Sequence, residues 1–370
     1  MRMRTSAAAN VKLFLDESLG RKPEHDKPKY LLVLYGKADK AASRMKRIGN
    51  LKDKFLTYEN FDISEKKARK GKIVTFAMKK FDENREGNLF ALIESLRDGT
   101  YQWSKPERFV MVADAGKVRN ITKVPYFPDR IVHHAILRVL EERFHKTFIS
   151  NTFNSIKGRG IHLANMRIKK ALRGDKEGTK YCLKIDIKKF YESIDSNMMK
   201  ESLRRYVKDK WLLSLIDAEI DNTEGLSIGG LLSQTFSNVF ISRLDHWIKE
   251  DLKVKYYFRY ADDMVFLSSD KTSLHEIMWR VRNRLHYEYG LQLNTHRQIF
   301  KVKDRGLDFI GFVFYHSHTM IRKRIKKIFA KKRNNVLSRA SYLGMMKWCD
   351  SRNLIYKILE QNNYARECRN

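Results

Sequence analysis

The sequence predicts an α+β fold, an antiparallel sheet flanked by helices. Residues 255–260 (Lys-Tyr-Tyr-Phe-Arg-Tyr) and 264–267 (Met-Val-Phe-Leu) are aromatic and β-branched runs around a polar break. They read as a hairpin with Asp262 and Asp263 at its turn. In residues 181–191, Leu183, Ile185 and Ile187 alternate with Lys184, Asp186 and Lys188, the period of a half-buried strand. All five prolines fall within the first 128 residues, so the rest of the chain suits long helices and continuous strands.

Taken in order, residues 1–44 look like a separate extension, with turn-formers around 20–28 and little periodicity. Residues 84–98 carry Leu89, Leu92, Ile93 and Leu96 at helical spacing. A second helix is expected over 128–145, with Pro128 at its start and an apolar face of Ile131, Ala135, Ile136, Leu140 and Phe144. His133 and His134 on that helix read as packing or surface residues. The stretch 225–234 (Gly-Leu-Ser-Ile-Gly-Gly-Leu-Leu-Ser-Gln) leads into a helix through Trp247, with Leu232, Phe236, Val239, Phe240, Leu244 and Trp247 as its buried stripe. The glycines Gly229 and Gly230 leave room for a substrate or a backbone to come close. Residues 290–294 (Gly-Leu-Gln-Leu-Asn) and 308–314 (Asp-Phe-Ile-Gly-Phe-Val-Phe) supply two more strand-like pieces. Residues 322–333 form a cationic helix in which Ile325, Ile328 and Phe329 make one apolar stripe. No internal repeat and no nuclease-like segment after residue 345 is evident.

Lys and Arg total 75 against 43 Asp and Glu, a formal net charge of +32. Such an excess on an aromatic-rich chain points to a polyanionic partner bound by a folded body. No apolar run approaches the roughly 20 residues of a membrane span, and no secretory signal is evident. Cys182, Cys349 and Cys368 are scattered without a disulfide or metal pattern, which fits a reducing cytoplasm. His316 and His318 lack partner ligands and read as surface or packing residues.

The adjacent acids carry the chemistry. Two carboxylates side by side repel unless a cation neutralises them, and Mg²⁺ is commonly held by one or two carboxylates plus substrate phosphates. Asp186 joins them if its strand neighbours the hairpin in one sheet.

The ordered set resembles reverse transcriptases: the Asp186 strand, Ile-Gly-x-x-x-Ser-Gln at 228–234, Tyr-Ala-Asp-Asp at 260–263, Leu-x-Leu-Asn and Phe-Ile-Gly-Phe. Upstream, Gly-Lys-Val-Arg at 116–119, Pro-Asp-Arg-Ile-Val at 128–132 and Lys-Gly-Arg-Gly at 157–160 look like fingers motifs of bacterial members. The resemblance covers roughly residues 45–345. It implies a right-hand polymerase: a fingers region at 45–180, an antiparallel-sheet palm flanked by helices at 181–318 and a short, basic helical thumb at 319–370. Most members carry Gln-Gly-x-x-x-Ser-Pro in the middle motif. Ile228-Gly229 with Ser233-Gln234 is similar instead to diversity-generating retroelements, which copy a template-repeat RNA with errors opposite adenine.

The resemblance also implies a set of roles. Asp186, Asp262 and Asp263 would be catalytic and, with the Ile187 carbonyl, would hold two Mg²⁺ ions, Mn²⁺ being the alternative. A primer 3′-hydroxyl would attack the α-phosphorus of a deoxynucleoside triphosphate in line. Lys117 and Arg119 would clamp the triphosphate, and Tyr191 would exclude a ribose 2′-hydroxyl. Ile228, Gly229 and Gln234 would shape the nucleotide pocket, with Ile228 lacking the donor that steadies the template–nucleotide pair. Arg297 stands where many relatives place Lys. Arg322, Lys323, Arg324, Lys326, Lys327 and Lys331 would track nucleic-acid phosphates. Expected partners are template RNA, the RNA/cDNA duplex, dNTPs and a small basic accessory protein, with no membrane, in the cytoplasm of a bacterium or phage host. Antiphage defence is the alternative role, and a catalytically idle RNA-binding scaffold the reading from another class.

Overall fold

A computed structural model describes residues 46–359, apart from 114–116, 224, 296 and 297. The expected extension at 1–44, and with it Gly116, Arg297 and Cys368, lies outside the described residues.

The first two long helices start at their caps. Thr57 Oγ1 accepts from the Asn60 N–H at 3.2 Å to open α1 (Tyr58–Arg69), and Asn84 Oδ1 accepts from Gly87 N–H at 3.2 Å to open α2 (Arg85–Arg97). The periodicity read over 84–98 is this second helix, and Leu89, Leu92, Ile93 and Leu96 are buried. Helix α3 (Ile131–His145) starts later than Pro128 suggests. Phe127 is extended (φ −120°, ψ 134°), the conformation favoured before a proline, so Pro128 sits in a kinked turn, Tyr126–Arg130, ahead of the helix. His133 is buried and meets Glu219 at 2.9 Å, as a packing residue would. Helix α4 is Ile161–Gly174.

Helix α5 (Leu231–Glu250) differs from the expected amphipathic stripe. Leu232, Phe236, Val239, Phe240, Leu244 and Trp247 are buried, but so are Ser233, Thr235, Ser237, Asn238, Ser242 and Asp245 on the other faces. Small hydroxyls make this tolerable, because Ser237 and Ser242 donate back to the carbonyls of Gln234 (3.1 Å) and Val239 (2.8 Å). Helix α6 is Lys271–Tyr289, capped by Asp270.

Strands β1 (Glu107–Ala113) and β2 (Lys117–Lys123) make a two-stranded antiparallel ribbon. The main sheet runs β4-β5-β3-β6, with β3 Tyr181–Asp186, β4 Tyr256–Tyr260, β5 Asp263–Ser268 and β6 Gln298–Lys301, all pairs antiparallel. The face that carries Lys184 and Asp186 buries Cys182, Phe258, Val265 and Leu267 in one core with Ile168 and Leu172 of α4, and the opposite face, with Leu183, Ile185, Met264 and Phe266, is buried too, so β3 is covered on both sides rather than half-buried. Each large apolar side chain so buried contributes about 1.5–3 kcal/mol. The stretch 290–294 is less than a strand: Leu293 alone bridges Ile187.

Residues 308–314 form two short strands rather than one. Strands β7 (Leu307–Phe309) and β8 (Phe312–Phe314) turn at Ile310 and Gly311, both at positive φ, and β9 (Thr319–Ile321) completes a three-stranded sheet. Helices α7 (Lys323–Lys332), α8 (Val336–Met346) and α9 (Arg352–Leu359) follow and share a small core around Phe329, Met346 and Ile358. The apolar stripe read over 322–333 is correct in place, with Phe329 buried and Ile325 and Ile328 half-buried. Among the described residues no helix is long and apolar enough to cross a membrane.

Candidate active site

Strand β3 ends at Asp186, and its register with β5 sets Asp186 opposite Asp263. Tyr260 pairs with Asp263, so the hairpin turn consists of Ala261 and Asp262 alone. The three acids expected to act together therefore meet at one sheet end. The carboxyls of Asp186 and Asp262 lie close enough together to act on each other's charge. Burial, then the charge of Asp186, pushes Asp262 up to about 7. Burial also pushes Asp263 up to about 6, against the pull of Lys184, whose Nζ stands 3.1 Å from its carboxylate. Asp263 Oδ1 is buried and without a hydrogen-bond partner.

These observations fit a hard cation. Crowded carboxylates with raised proton affinity, and one orphaned oxygen, form an all-oxygen donor set suited to Mg²⁺. Among the described residues no three acidic, His or Cys side chains form a ready-made cage. Asp186 and Asp262 would thus serve as a ligand pair to be completed by other oxygens, as Mg²⁺ sites on phosphate substrates commonly are. The Ile187 peptide lies beside them, its N–H 3.4 Å from the Asp262 carbonyl.

Neighbouring elements fix the acids. Asn294 donates its backbone N–H to the Asp186 carbonyl at 2.8 Å and its Nδ2 to Asp186 Oδ2 at 3.2 Å. Lys184 also donates to the Asp308 carbonyl at 2.8 Å. Arg322 pairs with the Asp308 carboxylate at 2.5 Å and helps hold down the Asp263 carboxyl. Arg322, expected among the phosphate-tracking cations, has its guanidinium engaged by the Asp308 carboxylate. Lys323, Arg324, Lys326, Lys327 and Lys331 line the exposed side of α7.

Tyr191 follows β3 in the short helix Phe190–Ser193. Its hydroxyl lies near Ser237 and Asn154, and burial pushes it up. Phe190 beside it is the core aromatic. Ile228 is half-buried, and its carbonyl accepts from the Thr122 N–H of β2 at 2.9 Å. Gly229 has φ 107°, and a Cβ there would sit 2.9 Å from the Thr122 carbonyl oxygen. The close approach expected at this glycine is therefore that of the β1–β2 ribbon's own backbone. Gln234 Oε1 accepts from Ser155 Oγ at 2.8 Å. Arg119 is exposed on β2, opposite Met111. The backbone of Lys117 opens β2, while its side chain lies outside what is described.

Sequence reasoning passed over three residues here. Lys184 had a signal, a cation two residues before Asp186 on the same strand face. Asn294 had one in its motif. Arg259 had none: a charged residue three before Asp262 reads as solvated, yet it is fully buried.

The family model described as "Reverse transcriptase (RNA-dependent DNA polymerase)" matches residues 104–314. Protein YkfC of Escherichia coli is 23% identical over 63% of this chain and 71% of its own length. Group II intron-encoded protein LtrA of Lactococcus lactis is 23% identical over 62% of this chain, but the match spans only 38% of LtrA. Among solved structures, apo telomerase from Candida tropicalis superposes with a TM-score of 0.45 at 12% identity, over 75% of this chain and 67% of that one.

Proposed function

The chain belongs to the reverse transcriptase (RNA-dependent DNA polymerase) family, and from that premise we propose how its own residues carry the reaction. We assign primer extension on template RNA, with dNTPs as substrates and an RNA/cDNA duplex as product. Residues 45–180 serve as fingers, 181–318 as palm and 319–370 as thumb; β9 still pairs with β8, so the helical part starts at Lys323. One observation carries the site: Asp186 faces Asp263 across the ladder while its carboxyl meets Asp262 at the turn.

Asp186 and Asp262 hold two Mg²⁺ ions, with Asp263 and the Ile187 carbonyl as further donors. When bound, the ions neutralise charge on the attacking and leaving oxygens. The remaining work is positioning. Lys184 keeps Asp263 from swinging toward the other two acids. Tyr191, mostly buried with its hydroxyl near Ser237 and Asn154, presents its ring beneath the sugar. We assign Lys117 and Arg119 as the triphosphate clamp; the Thr122–Ile228 hydrogen bond joins the β1–β2 ribbon to the nucleotide pocket. The exposed cations of α7 follow the duplex backbone. Incorporation of a single dNTP on a primed RNA, lost in Asp186→Asn, tests this assignment.

At the finer level we assign error-prone copying at adenines, as in diversity-generating retroelements, with a small basic accessory protein and a cytoplasmic setting. Ile228 and Gln234 support it: an aliphatic side chain offers no donor to the template–nucleotide pair, and Gln234 bonds Ser155 where most relatives have proline. The similarity to LtrA supports a second reading, a bacterial reverse transcriptase of another system; antiphage defence is one role such an enzyme could serve. Near-repeats differing at adenines beside the gene would favour the first, and their absence the second. The coupled acids speak against an idle RNA-binding scaffold.

A further inference from the structure

We propose that Arg259 is a positioning residue that holds Asp262 in place through the carbonyl of Ala261; this rests on the polymerase reading above. Arg259 lies on β4 with its side chain fully buried. A buried guanidinium is costly unless its charge and N–H groups are matched. Nε donates to both Asp245 oxygens, at 2.8 and 3.0 Å, and Nη2 to Oδ2 at 2.6 Å. Asp245, on α5, also accepts from Tyr257 Oη at 2.7 Å and Thr152 Oγ1 at 3.1 Å. The charge is thereby balanced inside the core. Nη1 is left for other work: it donates to Asn238 Oδ1 at 2.9 Å and to the Ala261 carbonyl at 3.0 Å.

Ala261 needs that support. It is the first residue of a two-residue hairpin turn and has φ 53°. L residues carry a cost there, and in turns with only their first central residue at positive φ, glycine is preferred. Asp262 follows directly and must face Asp186 against mutual repulsion. A turn free to relax would let the two acids part. The arginine is itself anchored on both sides of its backbone, since its N–H donates to the Asn151 carbonyl (3.0 Å) and its carbonyl accepts from the Phe153 N–H (3.1 Å). Strand edge, helix α5 and acid turn thus converge on one side chain that touches no reacting atom.

The test uses the full-length chain and two readouts. One is Mn²⁺ binding, followed by electron paramagnetic resonance without nucleotide or nucleic acid. The other is the Mg²⁺ concentration giving half-maximal incorporation on a primed RNA. Arg259→Lys keeps a cation beside Asp245 but loses the fork. We expect Mn²⁺ affinity to fall about tenfold, in the range typical of residues that orient metal ligands, and the Mg²⁺ requirement to rise in step. Adding Ala261→Gly, which takes positive φ freely, should recover part of both. Arg259→Gln with Asp245→Asn removes both buried charges together, covers the case of an unfolded Arg259→Lys, and should show the same loss. Folded variants with wild-type Mn²⁺ affinity and Mg²⁺ requirement overturn the proposal, as does the absence of any recovery with Ala261→Gly. A wild-type chain that binds Mn²⁺ without incorporating nucleotide overturns the polymerase reading instead, and the Mn²⁺ series then decides on Arg259. A chain that does neither overturns both.

Discussion

Asp186 stands opposite Asp263 in the β3–β5 ladder, yet the carboxyl it meets belongs to Asp262, one residue outside the ladder. A two-residue turn is what allows this, because it carries Asp262 over the end of the sheet. The third acid is left to Lys184. The acids are therefore unequal: a coupled pair, and a neighbour screened by a lysine.

The coupling makes stability depend on pH. Asp262 has its folded pKa raised to about 7, above the roughly 3.9 of an unfolded Asp. The relative stability is thus present below about pH 4 and lost as pH rises through 7, where the ionised acid must be held against its neighbours. In a chelator, we expect Asp262→Asn to melt a few degrees above wild type at pH 8 and to lose that advantage toward pH 5. Thermal unfolding followed by circular dichroism measures this, and an advantage equal at both pH values contradicts the coupling.

Tyr191 should act as a steric filter. Tyr191→Ala leaves the acids untouched and opens space beneath the sugar. The preference for dNTP over the matching rNTP should fall by about 10- to 100-fold, the scale of a pocket that loses a bulky wall. Competition assays with paired nucleotides read it; an undiminished preference removes Tyr191 from the pocket.

Ile228→Gln should lower errors, most of all opposite template adenines, by restoring a donor beside the nascent pair. Sequencing of cDNA from both enzymes measures the change. An identical error spectrum would sever Ile228 from fidelity, leaving it with the Thr122 hydrogen bond, which uses only its backbone.

The cations of α7 should bind phosphate without reading sequence. Replacing Lys326, Lys327 and Lys331 by Gln should weaken duplex binding and flatten the log–log salt dependence by about 2–3 units, near one for each phosphate no longer neutralised. Arg322→Gln should behave differently, disturbing the acid cluster through Asp308 and lowering incorporation more than affinity. Filter binding at several salt concentrations separates the two. An unchanged salt slope in the triple variant would show that this helix faces solvent only.

Much of the site was legible in the sequence because it depends on short-range signals. Period-two alternation placed Lys184 and Asp186 together on one face of a strand, although that face is buried at Cys182 as well, and aromatic runs bracketed the acid turn. The stripe of Ile325, Ile328 and Phe329 placed the basic helix. What escaped depends on tertiary partners. Nothing local distinguishes Arg259 from a solvated arginine, since Asp245 and Asn238 reach it from another element. Arg322 looked like one more cation of a basic helix until Asp308 claimed it. Helix α5 showed an apolar stripe, but the burial of Ser237, Asn238, Ser242 and Asp245 is set by the sheet and loops around it. The segment 290–294 has strand-like residues and yet pairs only at Leu293.

The most direct measurement is extension of a DNA primer on an RNA template by the purified chain in Mg²⁺, beside Asp262→Ala. We expect wild type to add dNTPs along the template and the variant to lose at least about a thousandfold in rate, the scale on which electrostatic catalysis fails when its core group is removed. Equal extension by both proteins, or none by wild type in either Mg²⁺ or Mn²⁺, contradicts the assignment of the Asp186–Asp262 pair as a polymerase centre.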